Sequence, residues 1–196
     1  MDPYEILKTV NSFGIDRMLH EESAKFILDK LLEYRPSKCV EIGVNQGRST
    51  VLTGLAIKDW EGKLYAFDPY LQETEQDTAD LNGNYPDHQY RIALSNLDEY
   101  GLLDGTVTLV RMKSDEGAKI FMDNYIDWVY IDGDHTAEGV KLDIDSWVPK
   151  TKIGGKIVFD DMEHPAIRDV CATETRWKFL DTCGHTTIFE VTNNAS

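Results

Sequence analysis

The chain of 196 residues carries 35 acidic against 20 basic side chains, a formal net charge of −15, which argues against a nucleic-acid partner because phosphate backbones call for clustered Lys and Arg. A hydrophobic fraction of 41% and a charged fraction of 28% suit one globular unit with a sizeable core, and no apolar run approaches the roughly 20 residues of a membrane span. Three cysteines (Cys39, Cys171, Cys183) without a CxxC pair indicate neither a disulfide framework nor a zinc cluster.

The first residues lack the basic start and apolar core of a signal peptide, so a cytoplasmic location is expected. Residues 1–36 read as a helical cap of two helices, and residues 37–196 as the main domain. "KCVEIGV" (Lys38 to Val44) is a short buried strand ending in Gly, followed by "STVLTGLAIKDW" with helical spacing of Leu and Ile. "KLYAFD" (Lys63 to Asp68) is a second strand. The stretch from Tyr70 to Gln89 is polar, acidic and turn-rich, the signature of a functional or mobile loop. "TVTLVRM" (Thr106 to Met112) is a third strand and "DEGAKIFMDN" a helix. "IDWVYID" (Ile126 to Asp132) is a fourth strand, and the next helix places Val140, Ile144, Trp147 and Val148 on one face. "GGKIVFDD" (Gly154 to Asp161) is a fifth strand. Two strand-like pieces around Cys183-Gly184 close the chain as a hairpin.

Apolar strands alternating with amphipathic helices imply an α/β fold, Rossmann-like and doubly wound, with a mostly parallel sheet covered on both faces. The closing hairpin adds antiparallel pairing at one edge.

In such a sheet, ligands meet the carboxyl ends of the strands. The first of these ends carries "EIGVNQGRST", with Glu41, Gly43 and Gly47 in the spacing E-x-G-x-x-x-G. Glycines there let the backbone approach a ligand, and Ser49 or Thr50 is placed to cap the helix that follows. A plain tight strand-to-helix turn explains the same residues. The spacing is not the G-x-G-x-x-G of dinucleotide enzymes, which counts against a nicotinamide oxidoreductase. Asp68 ends the second strand, 21 residues after Gly47, where an acid can accept from both ribose hydroxyls; a turn in "DPY" is the plainer alternative.

The acidic strand ends come next. The fourth strand finishes in Asp132, Gly133, Asp134 and His135, and the fifth in Asp160 and Asp161. Neighbouring strands bring these carboxylates within a few ångströms, where they repel unless a cation neutralises them. A hard divalent ion such as Mg²⁺ takes this donor set. Against that stand simpler roles: Asp132 and Asp134 as turn formers around Gly133, Asp134 as helix cap, Asp160 and Asp161 as a solvated strand end. His135 can be an ordinary helix-start residue and His164 a loop residue. His20, His88 and His185 have no companions in the sequence that suggest chemistry.

The sequence resembles a class I S-adenosylmethionine-dependent methyltransferase, on "VEIGVNQGRST" as that family's first motif and "YAFDPY" as its second. The resemblance runs from about Lys38 to the C-terminus and implies a seven-stranded sheet. By this likeness residues 37–196 form the cofactor-binding domain, with Glu41, Gly43 and Gly47 along the methionine and ribose of S-adenosylmethionine and Asp68 on the ribose. Ser114 and Asp115, in "MKSDEGA", stand where the family contacts adenine.

"YIDGDHTAEGVKLDIDSWVPKTKIGGKIVFDD" resembles, more narrowly, a metal-dependent small-molecule O-methyltransferase subgroup that includes macrolide sugar methyltransferases. That resemblance implies Asp132, Asp160 and Asp161 as Mg²⁺ ligands, Asp132 also bordering the cofactor, and His135 as general base. The implied acceptor is a hydroxyl of a small molecule or sugar, with catechol-like phenols next, and a homo-oligomer is compatible with it. A non-catalytic cofactor- or metal-binding module is the alternative outside enzymes.

Overall fold

The computed structural model describes residues 2–12, 19–70 and 86–193. Two helices, α1 (Pro3–Ser12) and α2 (Glu21–Tyr34), precede β1 (Lys38–Ile42), α3 (Arg48–Lys58) and β2 (Lys63–Phe67). There follow α4 (Pro86–Glu99), β3 (Val107–Val110), α5 (Ser114–Ala118), β4 (Ile126–Ile131), α6 (Ala137–Trp147), β5 (Thr151–Phe159), α7 (Pro165–Thr173), β6 (Trp177–Cys183) and β7 (Thr186–Val191). The seven strands form one sheet in the order β3-β2-β1-β4-β5-β7-β6. β7 alone runs against its neighbours, pairing antiparallel with both β5 and β6. This is the Rossmann-like sheet with a closing hairpin that the strand pattern implies.

Alternation along each strand divides the core. Cys39, Leu64, Trp128, Val158 and Ile188 face α1 to α4, whereas Val40, Ile42, Val129, Ile157 and Phe159 face α5 to α7. On α6, Val140, Ile144 and Trp147 are buried, as their spacing requires, and so is Val148 at its C-terminal cap. Each such side chain contributes roughly 1.5–3 kcal/mol relative to exposure. Ile6 and Val10 of α1 share the core of α2 and α3, so the N-terminal helices are packed onto the sheet.

Two local expectations are corrected. Pro86, Asp87, His88 and Gln89, read as the end of a loop, open the helix α4, whose Ala93 and Leu97 are buried; Pro at the first helical position suits that start. The remainder of that loop, residues 71–85, lies outside the described residues. The helix expected from Asp115 to Asn124 is also shorter, and Phe121 leaves it to pack against Tyr65 and Trp147.

Candidate active site

The order of strands β2, β1, β4 and β5 puts four strand ends in a row, and with them the glycine turn, Asp68 and both acidic turns. Gly43 and Gly47 have φ of +83° and +85°, a region that glycine enters without cost. Gly43 is further confined by its neighbour, because an added Cβ would lie 1.9 Å from the backbone carbonyl oxygen of Asp132. The glycine turn and the DGDH turn are therefore in direct contact.

Glu41 is buried at the end of β1. Ser49 Oγ donates to its Oε1, while Oε2 has no hydrogen-bond partner among the described residues. Burial pushes this carboxyl up to about 8, against the Ser49 hydrogen bond, which lowers it. Ser49 is thus not the helix cap; Gly47 holds that position and Ser49 turns back to the strand end. Asp68 Oδ2 accepts from the N–H groups of Val44 and Asn45 at 3.0 and 2.9 Å, and Oδ1 from Tyr70 N–H at 2.8 Å. The carboxylate so clamps the glycine turn; Oδ2 is filled by two donors, whereas Oδ1, with one, keeps a lone pair. Tyr70 completes the clamp by donating from its hydroxyl to the Asn45 carbonyl at 2.9 Å.

At the start of α5, Ser114 Oγ donates to Oδ1 of Asp143, a buried carboxylate on α6 that burial raises to about 6. Asp115 pairs with Lys119 at 3.5 Å. Asp143 was not singled out by its sequence context, where it reads as one more acid on a helix.

The acidic ends of β4 and β5 converge as their pairing requires. His135 Nε2 lies 3.8 Å from Asp132 Oδ1 and 3.4 Å from Asp161 Oδ2, and the ligand atoms of all three residues fall within 4.8 Å of one another. Desolvation raises Asp132 to about 6, and desolvation followed by Asp160 raises Asp161. The Asp132 carboxylate beside it, and after it Asp161, hold His135 above its ordinary value. Three groups that each bind a proton too readily are what a cluster short of positive charge looks like.

Asp160 stands apart from that trio. It is 3% exposed, its Oδ2 accepting from the Tyr130 hydroxyl at 2.9 Å and its Oδ1 from Thr186 Oγ1 at 2.7 Å. Asp134 is a turn former, one of its two expected roles, and not the helix cap. It accepts from Thr136 N–H at 2.8 Å and Thr136 Oγ1 at 3.0 Å, while Thr136 itself caps α6 by accepting from Gly139 N–H. Tyr130 and Thr186 were missed; Tyr130 shares the strand face of Asp132 by alternation, but nothing local marks Thr186. His164 precedes α7 with its ring 5.7 Å from that of His135. His20 and His185, without sequence companions, stack at 4.4 Å.

A family model described as a methyltransferase domain matches residues 40–162, which include both turns and the acidic strand ends. Among solved structures, cofactor-bound Rv0187 from MTB aligns with a TM-score of 0.71 at 16% identity, over 97% of this chain and 89% of that one. The methyltransferase PaMTH1 of Podospora anserina, solved with SAH, aligns with a TM-score of 0.68 at 13% identity, over 97% and 88%. A methyltransferase from Geobacter sulfurreducens aligns with a TM-score of 0.63 at 13% identity, over 97% and 86%. At these identities the likeness is one of fold.

Proposed function

Because the chain belongs to the methyltransferase domain family, we propose that it is an S-adenosylmethionine-dependent, Mg²⁺-assisted O-methyltransferase acting on a hydroxyl of a small molecule or sugar. The observation that carries this reading is the contact between Gly43 and the Asp132 carbonyl. It sets a turn fit for a nucleoside-bearing cofactor against a cluster of two carboxylates and an imidazole.

The residues fit the cofactor. Glu41 Oε2, buried and without a hydrogen-bond partner among the described residues, is an acceptor for a cationic amino group, and Asp68 Oδ1 retains a lone pair for a ribose hydroxyl. Ser114 and Asp115 at the start of α5 border the adenine. Asp132 and Asp161 would hold the ion, and Asp160, whose oxygens each keep a lone pair beside Tyr130 and Thr186, would add to them. When bound, S-adenosylmethionine supplies an electrophilic methyl group and Mg²⁺ supplies Lewis acidity toward an acceptor oxygen.

The chain's own residues do the rest. His135 Nε2, 38% exposed and facing the carboxylates, takes the acceptor's hydroxyl proton; its raised proton affinity favours keeping it. Asp132 orients the ring. The two turns hold both reactants at one short distance, which is the larger part of the acceleration in a bimolecular transfer. Vicinal oxygens, as in sugars and catechols, suit an acidic cluster of this kind because both can reach one ion.

The test is transfer of labelled methyl from S-adenosylmethionine to a panel of sugars, glycosides and catechols, with Mg²⁺ or with EDTA. Transfer that stops with EDTA and in Asp132→Asn and Asp161→Asn supports the reading. Transfer indifferent to all three removes the metal from it, and no transfer to any acceptor favours a binding module.

A further inference from the structure

A second set of donors stands beside the first and shares one residue with it. His185 Nδ1 lies 2.5 Å from Glu163 Oε1, and the ligand atoms of Asp161, Glu163 and His185 fall within 4.8 Å of one another. Asp161 and Glu163 belong to the loop between β5 and α7, and His185 to the turn between β6 and β7. Two bonds outside the cluster fasten these segments: Met162 N–H donates to the His185 carbonyl at 2.9 Å, and Thr186 Oγ1 donates to Asp160. A third segment brings His20, before α2, whose ring stacks on that of His185 with 30° between planes and whose side chain caps no helix.

An exposed Glu–His ion pair is the plain reading of Glu163 and His185, and such pairs contribute little. It leaves unexplained why a third donor, Asp161, and a second imidazole, His20, gather at the same point from separate segments. Imidazole with carboxylates is a donor set that suits Zn²⁺ and its neighbours, whereas Mg²⁺ prefers oxygen alone. The side chains of Glu163, His185 and Asp161 are 54%, 36% and 35% exposed, so they can close on an ion with ligand bonds of about 2.0–2.2 Å. Glu163 and His185 pair at 2.5 Å, and an ion bound by Nδ1 would take the place of its proton.

We propose that Asp161, Glu163 and His185 form a second divalent-cation site, selective for a borderline ion such as Zn²⁺ over Mg²⁺, next to the acidic ends of β4 and β5. Asp161 lies between the two sites, so filling one changes the affinity of the other. The second site does not depend on the methyl-transfer reading, since Glu163 and His185 take no part in it.

The experiment titrates the chelator-stripped full chain with Co²⁺ in excess Mg²⁺, following visible d–d absorption, and repeats the titration with Zn²⁺ by calorimetry. About one Co²⁺ per chain should bind despite the Mg²⁺. Glu163→Gln and His185→Ala, both at exposed side chains, should each weaken that binding at least about tenfold, and by more than Asp132→Asn changes it, since Asp132 acts on this site only through the shared Asp161. Far-UV circular dichroism checks that each variant is folded. Co²⁺ binding unchanged in both Glu163→Gln and His185→Ala overturns the site, as does complete displacement by Mg²⁺. Failure of the magnesium reading alone would show as turnover indifferent to EDTA with the Co²⁺ titration intact.

Discussion

The Tyr130 hydroxyl donates to Asp160 Oδ2 at 2.9 Å, inside the sheet and out of reach of solvent. With Thr186 on the other oxygen, it holds the first acid of the FDD strand end from opposite sides, one donor from β4 and one from β7. Tyr130→Phe should therefore destabilise the protein by about 1–3 kcal/mol, and Thr186→Val by a similar amount. Because both bonds end on one carboxylate, the double variant should not be additive. Urea denaturation reads all three, and losses below about 0.5 kcal/mol in both single variants would show that Asp160 is not held in this way.

The ligand-free, metal-free protein should lose stability as the pH rises. Burial raises Glu41 from its ordinary 4.5 to about 8, and Asp132 and Asp143 from 3.8 to about 6. Each binds its proton more tightly folded than unfolded, so the stabilisation is complete below the unfolded value and is lost as pH climbs through the folded one. Between about pH 6 and pH 8 the slope belongs mainly to Glu41, and its contribution is on the order of a few kcal/mol. Denaturation midpoints across that window should fall more steeply for the parent than for Glu41→Gln, in which the raised imidazoles of His135 and His185 leave a shallower decline. Parallel curves would remove Glu41 as the cause.

His135→Gln should lower methyl transfer roughly 10²- to 10⁴-fold, the usual worth of a positioned base. Affinity for S-adenosylhomocysteine, measured by calorimetry, should stay within about twofold. A comparable fall in both quantities would make His135 a structural residue of the turn.

Gly43→Ala should fold poorly. Its Cβ would meet the Asp132 carbonyl at 1.9 Å in a backbone at φ +83°, and backbone does not yield as a side chain can. A cost of more than about 2 kcal/mol is expected from strain and clash together. A thermal midpoint equal to the parent's would mean that the two turns are not in contact.

The sheet was legible because β1, β2, β4 and β5 are apolar runs that end in glycine or acid, and because α6 repeats Val140, Ile144 and Trp147 at helical spacing. The helix α4 was less so: Pro86 to Gln89 follows a polar acidic stretch, and turn-forming composition masked a proline that begins a helix. Asp68, Asp132 and His135 could be picked out since strand ends in this architecture face one crevice. What each side chain does there was harder to read. Ser49 turns to the buried Glu41 rather than to the helix end, and Thr136 takes the cap with Asp134 bonded to it, choices among neighbouring polar residues that composition does not decide. Glu163 and His185 are 22 positions apart and meet only through the pairing of β5 with β7, a non-local relationship that no window of sequence displays.

That same pairing has a consequence for biosynthesis. β7 runs against β5, with Thr187 opposite Phe159, so the strand that closes the acidic end of the crevice leaves the ribosome well after the glycine turn. The glycine turn around Glu41 is made early and waits for about 140 further residues before Thr186 reaches Asp160. A nascent chain can thus assemble its cofactor half well before its acidic half, and a protease that removed the β6–β7 hairpin would return the molecule to that half-built condition.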